Sequence, residues 1–188
     1  MTIEGGDPVL RKMKHVDSLM LIHRLAQQQF VRKPVRVFGL KVMDKHVGVA
    51  ISDLDTLRAK SYCVLETKDS NILAQSFQRL MRKESVEGLV VGQPYPEGAK
   101  NPQDPNANLV EKFVEDLSKT GKLNDVPYTL WDDSWAVLEL MECLFLPFRM
   151  DPLMKRRMMH RACTRGATEV LQDYLHKVGK SVNLRRRR

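Results

Sequence analysis

The stretch from Val35 to Ser52 constrains the fold more than any other part of this chain. Apolar, largely β-branched residues alternate through Val35-Arg-Val-Phe-Gly-Leu-Lys-Val42 and again through His46-Val-Gly-Val-Ala-Ile-Ser52, with only Met43-Asp44-Lys45 between them. Period-two runs joined by so short a connection form an antiparallel hairpin. The remainder of the chain must then build on a sheet that already has one antiparallel edge.

The downstream pattern supplies the rest of that sheet. A third strand is expected over Ser61 to Leu65. Asn71 to Arg82 carries Ile72, Leu73, Phe77, Leu80 and Met81 at helical spacing, with Asp69-Ser70 placed to cap it. Glu87-Gly-Leu-Val-Val-Gly92 is apolar without alternation, as in strands buried on both faces. Pro94, Pro96, Gly98, Pro102 and Pro105 make Gln93 to Asn108 a loop, and a helix is expected over Leu109 to Lys119. Val126 to Trp131 predicts another buried strand, and Trp135 to Phe145 and Pro152 to Lys177 predict helices, with Gly166 a candidate interruption. The order predicts an α/β fold: a five-stranded mixed sheet with an antiparallel hairpin edge and helices on both faces.

At 188 residues the chain has room for one such domain with extensions. The net charge of +8 is unevenly spread. Residues 1–36 hold seven Lys/Arg against three Asp/Glu, residues 37–150 thirteen against seventeen, and residues 151–188 eleven against three. An acidic middle between basic ends points to a polyanion held by the ends, nucleic acid first among them. Residues 8–33 predict an amphipathic basic helix that packs on the domain or on a partner. A targeting presequence has a similar look, but Glu4, Asp7 and the scarcity of serine argue against one. Cys63, Cys143 and Cys163 are odd in number and widely spaced, which argues against a zinc site and a disulfide framework. His15, His23, His46, His160 and His176 show no ligand or triad spacing and are read as structural. No run of about 18 apolar residues occurs, so no membrane span and no membrane partner are expected.

Four motifs in order, Gly39-Leu-Lys-Val-Met-Asp-Lys-His-Val-Gly-Val-Ala-Ile-Ser-Asp53, Val86-Glu-Gly-Leu-Val-Val-Gly-Gln-Pro94, Leu130-Trp-Asp-Asp133 and Val170-Leu-Gln-Asp-Tyr-Leu175, resemble the YqgF/RuvX family of Holliday-junction resolvases and ribosomal-RNA-precursor nucleases. The resemblance covers roughly residues 35–178 and implies a ribonuclease-H-like fold. It divides the chain into a basic helical extension (1–34), the ribonuclease-H-like domain (35–178) and a basic tail (179–188). It also implies a carboxylate cluster that holds divalent metals: an Asp on the first strand, an Asp where a strand ends in D-E-R, and an Asp in the last helix. Two cations about 3.5–4 Å apart would clamp the attacking and leaving oxygens of a phosphodiester.

Here the first of these positions is Lys41 and the third falls at His160 or Cys163, with no Asp or Glu from Pro152 to Thr168. A glycine of the first motif is replaced by Met43. Asp132 remains, and Asp44, Asp53, Glu97 and Asp133 are weighed as substitutes. An ammonium cannot ligate a cation. The sequence therefore predicts that Asp132 pairs with Lys41 in the vacated site, that no metal or other cofactor is held, and that cleavage by the family mechanism is lost. Mg²⁺ enters only if an active nuclease on rRNA precursors or branched DNA is retained.

The basic ends carry the remaining expectation. Arg157, Arg161 and Arg165 fall on one helical face, beside Lys155 and Arg156, while Met154, Met158 and Met159 are expected to face the core. Arg185, Arg186, Arg187 and Arg188 end a polar linker from Gly179. Both blocks are candidate RNA-phosphate contacts. Trp131 is assigned to the core and Trp135 is a candidate base-stacking residue. The favoured reading is an RNA-binding structural protein, a component or assembly factor of a ribosome, with rRNA and ribosomal proteins as partners. The expected location is intracellular, the mitochondrion before the cytoplasm or plastid. An active nuclease and a protein-interaction module whose basic ends serve only targeting remain the alternatives.

Overall fold

The computed structural model describes residues 12–31, 35–53, 58–94, 105–133 and 151–186. Its elements are β1 (Lys14–His15), α1 (Ser18–Val31), β2 (Arg36–Val42), β3 (His46–Ser52), β4 (Ala59–Glu66), α2 (Ser70–Glu84), β5 (Val86–Gln93), α3 (Pro105–Lys119), β6 (Pro127–Asp132) and α4 (Pro152–Arg186). The sheet has six strands in the order β1-β6-β5-β2-β3-β4. β2, β3 and β4 pair antiparallel, whereas β2, β5 and β6 run parallel. This is the ribonuclease-H-like arrangement implied above, with one strand more than expected.

The extra strand corrects the reading of the N-terminal segment. Lys14 and His15 pair with Pro127 and Tyr128 of β6 instead of lying in a helix. Without them β6 would present an unpaired edge, and Lys14 N and Val16 N donate to the carbonyls of Val126 and Tyr128 at 3.0 and 2.9 Å. The helix starts only at Ser18, where the Asp17 side chain accepts from Leu19 N at 2.8 Å. The Asp69 cap of α2 is as expected, its carboxylate accepting from Asn71 N and Ile72 N at 2.8 and 3.0 Å. α3 begins earlier than the loop prediction allowed, since Pro105 opens it at the one turn of a helix where a missing N–H costs nothing.

Period two sorts the central strand between two cores. Phe38, Leu40 and Val42 join Leu73, Phe77 and Val114 under α2 and α3. Val37 joins the other core with Leu21 and Leu25 of α1 and Val170, Leu171 and Tyr174 of α4. Thus α1 packs on the domain, and the Tyr174 hydroxyl ties the two helices by donating to the Ser18 carbonyl at 2.8 Å. By the same alternation, Gly39 and Lys41 face α4.

α4 lies close on the sheet. A Cβ on Gly48 would run into the carbonyl of Cys163. The helix is continuous through Gly166 and extends to Arg186, so the segment expected to be a linker is helical. Met154 is exposed, as is Leu153, because the first turn of α4 buries none of its side chains. Met158 and Met159 are half-buried. The expected helix at 135–145, with Trp135 and Cys143, lies outside the described residues, as do Glu97, Arg187 and Arg188.

Gly48→Ala will push α4 from the sheet and lower stability by about 1–3 kcal/mol, the usual range for overpacking. Urea unfolding will show a lower midpoint with an unchanged slope.

Candidate functional site

The carboxyl ends of β2, β5 and β6 meet beneath α4, and there the Lys41 ammonium forms an ion pair with the Asp133 carboxylate. Both side chains are buried, at 8% and 1% exposure. Two glycines make the space. A Cβ on Gly92 would stand 2.7 Å from Asp133 Oδ2, and one on Gly166 would stand 3.2 Å from Lys41 Cγ. Gly166 is therefore a notch for the Lys41 stem in an unbroken helix.

The partner of Lys41 is Asp133 and not Asp132, which corrects the sequence reading. β6 alternates like β2: Trp131 packs toward α4, its ring 5.2 Å from that of Tyr174 and its indole N–H donating to Asp173 at 3.0 Å. The residue two further on shares that face, and the intervening Asp132 is exposed. Asp133 N still follows the ladder, donating to the Gln93 carbonyl at 3.3 Å. Counting parity from Trp131 identifies Asp133 from sequence.

The other candidates do not converge on this pair. Asp44 is exposed in the β2–β3 turn, where its carbonyl accepts from the Thr67 hydroxyl at 2.9 Å. Asp53 accepts from Arg58 N at 3.2 Å in a local turn. Cys163 is buried against Gly48, its thiol donates to the Lys41 carbonyl at 3.8 Å, and burial pushes its pKa up to about 12. His160 turns toward His46, with ring centroids 5.4 Å apart. Burial lowers the pKa of His46, and the neighbouring charge of His160 lowers it further. That contact joins residues 114 positions apart, so no local spacing signals it. Among the described residues no group of three or more His, Cys, Asp or Glu could hold a metal ion. A carboxylate cluster for two cations does not fit a site whose centre is an ammonium.

A cavity of about 410 Å³ opens beside the pair, lined by Lys41, Met43, His46, Leu109, Asp133 and Met159 among others. Lys155, Arg156 and Arg157 are exposed at the start of α4, and Arg161 and Arg165 continue one turn and two turns beyond Arg157. Arg165 pairs with Glu169 at 2.9 Å, an acid just past the acid-free stretch. The backbone of Arg185 and Arg186 lies in the last turn of α4, which places Arg185 about 30 Å along the axis from Arg165. The two basic blocks are thus separate.

Residues 35–177, from the start of the central hairpin to near the end of α4, match the family model described as RuvX, Holliday junction resolvase. The chain belongs to the RuvX family. Among its relatives is the "Putative pre-16S rRNA nuclease" of Caldanaerobacter subterraneus, 29% identical over 141 residues, covering 75% of this chain and 96% of the relative. A protein of the same name from Carboxydothermus hydrogenoformans is 26% identical and covers 78% of this chain and 100% of its own. Among solved structures, RuvC of T. thermophilus in complex with a Holliday junction substrate aligns at a TM-score of 0.40 with 13% identity, over 77% of this RuvX-family chain and 96% of RuvC.

Asp133→Asn will strand the buried Lys41 ammonium and cost about 3–5 kcal/mol, while Lys41→Met with Asp133→Leu will recover most of it. Asp132→Asn, at an exposed position, will change stability by less than about 0.5 kcal/mol. Chemical denaturation of the native chain and these three variants checks this. His46, with its folded pKa lowered, takes up a proton more readily when unfolded, so its contribution is present above about pH 6.5 and lost as pH falls below it. The urea midpoint will drop less between pH 7.5 and 5.5 in His46→Gln than in the native chain.

Proposed function

We propose that this RuvX-family protein binds RNA without cleaving it, as a structural component or assembly factor of a ribosome, with rRNA and ribosomal proteins as partners. The observation that carries the reading is the buried Lys41–Asp133 pair. The ammonium pairs with the Asp133 carboxylate, so positive charge is supplied by the chain itself where the family resemblance implies metal. Lost metal chemistry leaves the fold's basic surfaces as its means of meeting a phosphate backbone. Names of the relatives refer to pre-16S rRNA, which supports rRNA as the RNA class. The basic extension at 1–34 is compatible with a mitochondrial location, and no helix among the described residues is long and apolar enough to cross a membrane.

A second reading, a metal-dependent nuclease on rRNA precursors or branched DNA, is favoured by family membership and by the names of those relatives. Cleavage separates the two. The structural reading predicts that a labelled rRNA-precursor fragment and a four-way DNA junction both stay intact with Mg²⁺ or Mn²⁺. Metal-dependent cutting that Asp133→Asn or Asp132→Ala abolishes would establish the nuclease.

Binding gives an independent check. Affinity for single-stranded RNA will fall with salt, and neutralising Arg157 and Arg161 to Gln will reduce the slope of log K against log salt by about 1.4, at about 0.7 per phosphate contact. Arg165→Gln will change it less, because Glu169 already holds that guanidinium.

A further inference from the structure

We propose that the cavity beside the Lys41–Asp133 pair receives one unpaired nucleobase of a bound RNA strand. The inference rests on the RNA-binding reading above and specifies what that site takes in. Its volume of about 410 Å³ lies at the low end of the range for small-molecule pockets, room for one nucleotide but not for a folded partner's side. Val42, Met43, Leu109 and Met159 form its apolar wall, and Asp44, Lys45, His46 and Asn106 line the rest beside the ion pair. Two of the apolar residues are thioethers, polarisable and adaptable groups that make favourable contacts with aromatic rings. The buried Lys41–Asp133 pair stands beside them at the closed end of the cavity, and the Lys41 ammonium is its less buried member.

The replacements that set this chain apart from the family's motif also shape the pocket. Lys41 contributes the ammonium, and Met43 contributes a side chain where the motif has glycine. His46 lines the cavity, and Arg156 and Lys68 lie close enough to it to lower its pKa, against Glu66, which raises it. Lys45 lines the same cavity and is exposed. A strand whose phosphates lie along these groups can turn one base inward, which is how proteins read single-stranded RNA: by stacking and edge contacts to a splayed base.

The test compares a 12-nucleotide oligoadenylate with a 12-unit abasic ribose-phosphate strand of the same charge, on the full chain, by fluorescence anisotropy. The proposal expects the oligoadenylate to bind at least about tenfold more tightly. It also expects Leu109→Trp or Met159→Trp, each filling the cavity, to erase that difference while leaving the abasic affinity unchanged. Thermal unfolding of both variants establishes that they fold, and two positions on different helices guard against one failing. Equal binding of the two strands overturns the pocket and leaves the electrostatic RNA reading intact. Failure of both strands to bind overturns that reading and the pocket with it. A base preference that survives both tryptophans places the base elsewhere and overturns the site. Free AMP that displaces the strand at an equal nucleotide concentration assigns the pocket to a free nucleotide and overturns the assignment to RNA.

Discussion

One buried ion pair sets the terms for this end of the molecule. Moving an ammonium and a carboxylate out of water costs several kcal/mol each, so Lys41 and Asp133 are tolerable only together. Meeting there requires that β2 and β6 both present the right face to α4, that β5 carry no side chain at Gly92, and that α4 carry none at Gly166. The height of α4 over the sheet is set by the same close approach, continued at Gly48. The ion pair is therefore tied to the packing of the second core, in which Leu171 and Tyr174 of α4 meet Leu21 and Leu25 of α1.

That pair is also the basis of the proposed function. A carboxylate cluster works on phosphodiesters by concentrating metal ions, which neutralise charge as it develops. A lysine held by an aspartate contributes a fixed, largely compensated charge instead. On this reading the phosphate-binding charge has moved outward, to the exposed face of α4 that begins at Lys155 and includes Arg157 and Arg161, with a separate cluster of arginines at its far end. The proposed function keeps the RuvX fold and changes the means of engaging nucleic acid, which fits the general independence of fold and function.

Much of this is legible in the sequence wherever local pattern decides structure. The hairpin comes from alternation and a short turn, α2 from its apolar spacing and Asp69, and β5 from its unbroken apolar run. The features hidden from sequence depend on distant partners. β1 forms because an edge of β6 is free to pair, which nothing in Lys14-His15 announces. The helix runs on through Gly166, whose missing side chain makes room for a lysine stem 125 residues away. His46 and His160 meet only because β3 and α4 do. The choice between Asp132 and Asp133 is different in kind: the strand's own parity, anchored at Trp131, contains the answer, and motif matching alone points to the wrong neighbour.

Everything proposed for this site depends on the chain's own ammonium occupying the position where a cation would act. Calorimetric titration of the 188-residue chain with Mn²⁺ at neutral pH tests it most directly. No saturable binding up to millimolar Mn²⁺ is the predicted result. A stoichiometric micromolar site that disappears in Asp133→Asn would contradict it.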